Sequence, residues 1–298
     1  MKTSFLYVVT VLIWGSTFLA IKYQLGSVDP LVSVAYRFGL AAALLIVFCR
    51  IRGLNLKFTA NEHFFMAVFG ILLFSVNYWL VYTAELYLTS GLVAIIFSSI
   101  VFMNIANGLI FLGTALDRQV IVGAVIGIIG IAIIFMPEIQ TFNFSDKGVF
   151  GLTICMISVL LASFGNITSA RNTKKNIPVI QSNAFGMGYG AALLFIIALV
   201  TGKEFTFAFS VSYIGSLIYL AVFGSIIAFG SYLTLIGSIG ADKAAYSIMI
   251  VPVVALVLSS LFEGYTWTFS AVAGLLFVVG GNFLALKKKR LFPCKDEA

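Results

Sequence analysis

Arg37 is the residue best placed for chemistry, because it sits inside the apolar run PLVSVAYRFGLAAALLIVF from Pro30 to Phe48. A helix needs about 20 residues to span hydrocarbon, and an arginine near its middle costs roughly 2.5–3.5 kcal/mol on insertion scales. The guanidinium must therefore face protein or water. If Pro30 occupies the first turn, where its missing N–H is harmless, Arg37 lies roughly 10 Å down the helix at ~1.5 Å per residue, too deep to snorkel easily. A cation there can bind a substrate carboxylate or pair with an acid as a gate. The alternative is a structural arginine that caps carbonyls or sits at the interface.

The acid that best complements it is Glu85. Tyr78, Tyr82 and Glu85 follow one another at i, i+4 and i+7, on one helix face with Asn77 beside it. We expect Arg37 and Glu85 to share the outer half of the protein as a gate pair, with Glu85 as the proton carrier. A solvated loop acid is the alternative. Further polar and aromatic positions recur on apolar segments: the break Trp14, Gly15, Ser16, Thr17; Ser98, Ser99, Asn104 and Asn107; the stripe Ser225, Phe229, Tyr232; and Tyr246 and Ser247 before Pro252. The cavity set expected from these is Trp14, Arg37, Asn77, Tyr78, Tyr82, Ser98, Asn104, Tyr232 and Tyr246. Interhelical glue, often worth only about 0.6 kcal/mol per bond, or an interfacial aromatic belt explains such residues equally well. Pro252 is the only one of five prolines inside a span and frees a carbonyl that can face a cavity.

These side chains need a scaffold, and composition names its class. Of 298 residues, 61% are apolar and only 10% charged, with mean hydropathy +1.10. That excludes a soluble globule with an ordinary polar surface and implies an all-α polytopic membrane protein. The net charge of +7 is spread over short segments between apolar runs, with no basic helix or finger pattern, so nucleic acid is not an expected partner. Cys49, Cys155, Cys294 and the single His63 have no spacing suited to disulfides or a metal, and no cofactor is expected.

Ten spans account for the apolar runs: Phe5 to Ile21, Pro30 to Phe48, Phe64 to Ala84, Tyr87 to Leu112, Val120 to Met136, Gly148 to Ala170, Val179 to Thr201, Val211 to Ile236, Ala244 to Phe262 and Thr268 to Leu286. The first is too long for a signal core and lacks a cleavage site, so it is kept as a helix. With the N-terminus inside, inner segments carry Lys2, Arg50, Arg52, Lys57, Arg118, Arg171, Lys174, Lys175, Lys243, Lys287, Lys288, Lys289, Arg290 and Lys295. Outer segments carry only Lys22, Lys147 and Lys203, which predicts that both termini are cytoplasmic.

The halves resemble each other. Pro30 opens the second span and Pro178 immediately precedes the seventh, while Gly123 and Gly130 match Gly274 and Gly281, at offsets of 148 to 151 residues. Five is odd, so the second copy enters from the opposite side. This predicts inverted five-helix repeats, 1–137 and 147–290, with 291–298 as a cytoplasmic tail. Inverted repeats are a device for closing two halves alternately around a site near the midplane. The faces Gly123/Gly127 and Gly186/Gly190 are expected to pack within the protomer or across a homodimer.

IWGSTFLAIKYQLGSVDPLVSVAYRF, YTAELYLTSGLVAIIFSSI and the glycine-rich fifth segment resemble the EamA-type branch of the drug/metabolite transporter superfamily, over essentially the whole chain. The resemblance implies ten helices in two inverted repeats around a central cavity. It also implies export of a small metabolite, such as an amino acid, across the bacterial inner membrane. Family sequences often carry proline within the fourth helix and glutamate just after it; here Phe102 and Thr114 stand there, while the second half keeps Pro252 and Glu263. The competing classes are an intramembrane enzyme, for which no paired acids, His/Cys cluster or phosphate loop is present, and a structural or lipid-handling membrane protein.

Overall fold

The computed structural model describes residues 3–26, 28–88, 93, 96–114, 117–140, 142, 145–262 and 267–286, and among these every regular element is a helix. In chain order they are α1 (Thr3–Lys22), α2 (Pro30–Ile51), α3 (Ala60–Ala84), α4 (Ile100–Leu112), α5 (Arg118–Ile134), α6 (Asp146–Lys174), α7 (Val179–Val200), α8 (Val211–Ile239), α9 (Tyr246–Phe262) and α10 (Phe269–Leu286). Short helical turns, Met136–Gln140 and Ala241–Ala244, follow α5 and precede α9. Six stretches are long and apolar enough to cross a membrane: α2, α3, α6, α7, α8 and Ala241–Leu258. Shorter apolar helices accompany them. Large apolar side chains such as Phe269, Val211 and Phe283 lie on the outside of the bundle, as a hydrocarbon solvent requires.

The helices begin where the sequence supplies a cap. Asp29 accepts a hydrogen bond from Leu31 N with Pro30 at the first helical position, and Thr59 and Glu62 form a reciprocal capping box. Asp117, Ser145, Ser210 and Thr268 do the same for α5, α6, α8 and α10. Asp29 also pairs with Lys203 at 2.8 Å, tying the start of α2 to the loop after α7.

Several boundaries differ from the sequence expectation. Residues 85–88 form turns rather than helix, so the fourth helical segment starts later than Tyr87. The connection after the expected span Val120 to Met136 begins with the helical turn Met136–Gln140, because Pro137 is tolerated near a helix start. Arg171 to Lys174 continue α6, which ends where Asn176 takes φ 59°. Lys2, Glu263, Cys294 and the tail 291–298 lie outside the described residues.

Two further departures shape the interior. Ile71–Ser75 within α3 and Leu220–Ile227 within α8 are wound as π-helix, which turns the side chains beyond them relative to an unbroken α-helix. Elsewhere glycines set the distances between helices. A Cβ on Gly123 would come 2.6 Å from Gly281 O and one on Gly130 2.6 Å from Gly274 O; the reciprocal distances from Gly281 and Gly274 are both 2.5 Å. The α5/α10 pair therefore packs backbone to backbone. Gly70 meets Gly186 where α3 crosses α7, and Gly15 abuts Val254 where α1 meets α9. These small-residue faces are taken up within the protomer.

Candidate functional site

Arg37 is buried, with 1% of its surface exposed, at the centre of the α2 face turned inward. Its Nε donates to Ser225 Oγ at 3.0 Å and its Nη1 to Tyr82 OH at 3.4 Å, while the guanidinium lies 4.9 Å from the Tyr78 ring centre. The π-wound stretch of α8 makes the first contact possible. Ser225 Oγ donates to Leu220 O five residues back, leaving its lone pairs for Arg37, and Gly224 leaves room for the guanidinium: a Cβ there would stand 3.2 Å from Nη2. Tyr82 OH in turn donates to Gln24 Oε1 at 3.3 Å. The cation is thus held by hydroxyls and by the rings of Tyr78 and Phe38, the latter 5.1 Å away, a combination matched to planar guanidinium geometry.

Beside it lies a cavity with about 100 Å³ of space for the centres of water-sized molecules, where a single water needs roughly 10–15 Å³. Its described wall includes Trp14, Thr17, Arg37, Leu73, Asn77, Tyr78, Glu85, Ile100, Asn166, Phe229, Tyr232 and Pro252. The wall is mainly apolar and aromatic with a few convergent polar groups, the usual make-up of a small-molecule site. Trp14 packs edge-on against Phe229 at 4.9 Å and tilts against Tyr232 at 5.0 Å, its indole N–H donating to Gly224 O. Asn77 donates to Leu73 O and Asn166 to Tyr232 OH, yet the Oδ1 atoms of both asparagines are buried without a hydrogen-bond partner. Two asparagines, each with an unpartnered acceptor, and one guanidinium-bearing residue thus line the same small space.

The structure brings Trp14, Arg37, Asn77, Tyr78, Glu85, Tyr232 and Pro252 together from α1, α2, α3, α8 and α9. Tyr82 supports Arg37 from behind. Arg37 and Glu85 share one wall, and the hydrogen bonds of the guanidinium run to hydroxyls. Pro252 supplies no N–H to the carbonyl of Ile248, and Ile248, Val251 and Pro252 all belong to the wall. Asn104 lies on the wall of a neighbouring cavity. Ser98 is buried and is not among the described wall residues, and Tyr246 is buried between helices, its hydroxyl donating to Val120 O at the start of α5. Asn107 bonds Ser163 Oγ at 2.8 Å, joining α4 to α6.

Asn166 and Gln24 were not singled out from the sequence, whereas Thr17 belonged to the polar break expected on the first helix. An asparagine in the middle of an apolar run is a readable signal, because hydrocarbon has no partner for it, and Asn166 carried that signal.

Comparison with known proteins adds to this geometry. The family model described as "EamA-like transporter family" matches residues 1–136 and again residues 149–287. The chain is 26% identical to Protein PagO of Salmonella typhimurium, over 99% of this chain and 97% of that protein. It is 29% identical to the "Uncharacterized inner membrane transporter YedA" of Escherichia coli K12 (95% and 90%) and 29% identical to the "Uncharacterized transporter YvbV" of Bacillus subtilis (97% and 93%). A solved crystal structure superposes with TM-score 0.79 at 17% identity, covering 95% of this chain and 96% of that one, which is a likeness of fold.

Proposed function

Because this chain belongs to the EamA-like transporter family, we propose that it is a secondary transporter. Its cargo in this reading is small polar or amphipathic metabolites, amino acids among them, exported across a bacterial inner membrane by alternating access. The observation that carries the reading is the buried Arg37 on the wall of an aromatic cavity that Asn77 and Asn166, each with an unpartnered oxygen, also line. A guanidinium recognises a carboxylate, the amide oxygens and ring faces recognise an ammonium, and the apolar wall accepts a side chain.

All ten helices cross the membrane in this reading, as inverted repeats 1–137 and 147–290 with both termini cytoplasmic. The double match of one family model supports it, and so do pairs of features in register. The π-wound stretches of α3 and α8 correspond, as do Ser75 with Ser225 and Tyr82 with Tyr232, and the Gly123/Gly130 face meets the Gly281/Gly274 face. In the register that matches Pro30–Ile51 with Val179–Val200 and Gly53 with Gly202, Gly186 takes the place of Arg37, so the repeats supply a symmetric frame around an asymmetric charge.

Purified protein in liposomes, screened with labelled amino acids, amines and carboxylates, tests the function. Zwitterions with apolar side chains should move fastest. Movement of lipid alone, or of nothing in the panel, would overturn the reading. Glu85 is the proton carrier in this scheme, because an acid at the edge of an apolar cavity can change charge as the protein changes state. Glu85→Gln should abolish accumulation driven by a pH gradient while leaving exchange of cargo for cargo. Loss of both, or of neither, would remove Glu85 from the coupling.

A further inference from the structure

A second cavity, with about 240 Å³ of space for water centres, lies among the ends of α4, α6 and α8 and the turn Gly240–Asp242. Its described wall includes Asn104, Thr173, Lys174, Gly237, Ala241 and Asp242. Lys174 and Asp242 put one cation and one anion on this wall, and glycines at 108, 237 and 240 keep side chains out of the space. In the orientation proposed above, this is the cytoplasmic end of the bundle, the end that carries Arg118, Lys174 and Lys243.

One chain of hydrogen bonds lies between the two cavities. Asn166, on the wall of the first, donates from Nδ2 to Tyr232 OH at 3.0 Å and to Asn104 Oδ1 at 3.4 Å. Asn104, on the wall of the second, donates from Nδ2 to Ala241 O at 3.0 Å. The chain joins α6, α8, α4 and the turn before α9, four separate elements. Every bond in it is neutral, whereas the contacts that hold Arg37 are charge-assisted and stronger. Asn166 also has its Oδ1 buried and unpartnered, so a donor that arrives when the chain parts gains a hydrogen bond without displacing one.

We propose that the second cavity is the inner arm of the transport path, admitting small zwitterionic or polar cargo, and that the Tyr232–Asn166–Asn104–Ala241 chain is the gate between it and the Arg37 cavity. The proposal rests on the carrier reading and assigns it a specific barrier. Opening parts α4 from α6 and from the turn before α9, and α6 from α8, which breaks all three bonds of the chain and joins the two spaces.

Thiol labelling tests this without knowledge of the cargo. In a chain carrying Cys49→Ala, Cys155→Ala and Cys294→Ser, Val81→Cys reports on the first cavity and Thr173→Cys on the second. A charged, membrane-impermeant methanethiosulfonate is applied to inside-out vesicles. Thr173→Cys should react readily whether or not the chain is intact. Val81→Cys should react slowly, and adding Asn104→Ala should accelerate it about five- to tenfold, the shift in equilibrium that losing one or two neutral hydrogen bonds produces. Tyr232→Phe, which deletes a single oxygen and keeps the ring on Trp14, should act in the same direction with a smaller effect. Unchanged labelling of Val81→Cys in both variants, with Thr173→Cys reacting normally, would remove the gate. An unreactive Thr173→Cys would remove the inner arm. Either result can stand beside intact flux in liposomes, so failure of the gate is distinguishable from failure of the carrier reading.

Discussion

Replacing Arg37 with glutamine should cut transport of carboxylate-bearing cargo by about one to two orders of magnitude, the equivalent of one charge-assisted hydrogen bond of ~1.5–3 kcal/mol. Arg37→Lys should lose nearly as much. A lysine keeps the charge but presents it at one point, and it cannot donate to Ser225 at 3.0 Å and reach Tyr82 while lying flat against Tyr78. The folded protein should still accumulate in the membrane, because Ser225 remains bonded to Leu220 O and Tyr82 to Gln24. The comparison that separates binding from architecture is an amine cargo without a carboxylate. If Arg37→Gln slows the amine and the zwitterion equally, the arginine is a structural strut and not a recognition group.

Gly70→Ala should lose the folded protein. A Cβ at Gly70 would run into the carbonyl of Gly186, and the same crossing is closed from the other side, where a Cβ on Gly190 would stand 2.9 Å from Gly70 O. The obstacle is backbone, which cannot rotate away, so the α3–α7 crossing must part. Overpacking a well-packed interior typically costs about 1–3 kcal/mol, and here the cost falls at the upper end or beyond. Gly230→Ala provides the control, since nothing lies within 4 Å of a Cβ there. Removing a mid-helix glycine should then be neutral or stabilising by up to ~1 kcal/mol in an aqueous reference. Melting of detergent-solubilised protein, read by size-exclusion, checks both; equal melting of the two variants would contradict the packing described.

Much of this bundle was legible in advance because hydrocarbon imposes simple rules. Apolar runs marked helices, Pro30 marked the start of α2, and an arginine that could not face lipid had to mark an interior. Arg37 is indeed buried, on the wall of a cavity. Tyr78 and Tyr232 were picked out by their spacing on helix stripes and Trp14 by the polar break it opens, and all three line the cavity. The misses have a different origin. The π-wound stretches follow from tertiary packing and leave no signature in periodicity, so the seat that Ser225 makes for Arg37 was not foreseeable as a hydrogen bond. Tyr246 was chosen with Ser247 as a polar position before Pro252, yet a backbone carbonyl at Val120 claims its hydroxyl. Asn104 was placed with the cavity, and its side chain faces a neighbouring one. Spacing along one helix gives a face, but only the partner helix decides what that face meets.

The most direct measurement is counterflow in liposomes containing the purified protein. Vesicles are loaded with unlabelled amino acid and diluted into a trace of the labelled one. A carrier that exposes one Arg37-centred site to each side in turn must accumulate label transiently above equilibrium, and the overshoot must vanish with Arg37→Gln. Label that equilibrates without overshoot, or an overshoot untouched by the substitution, would contradict the account.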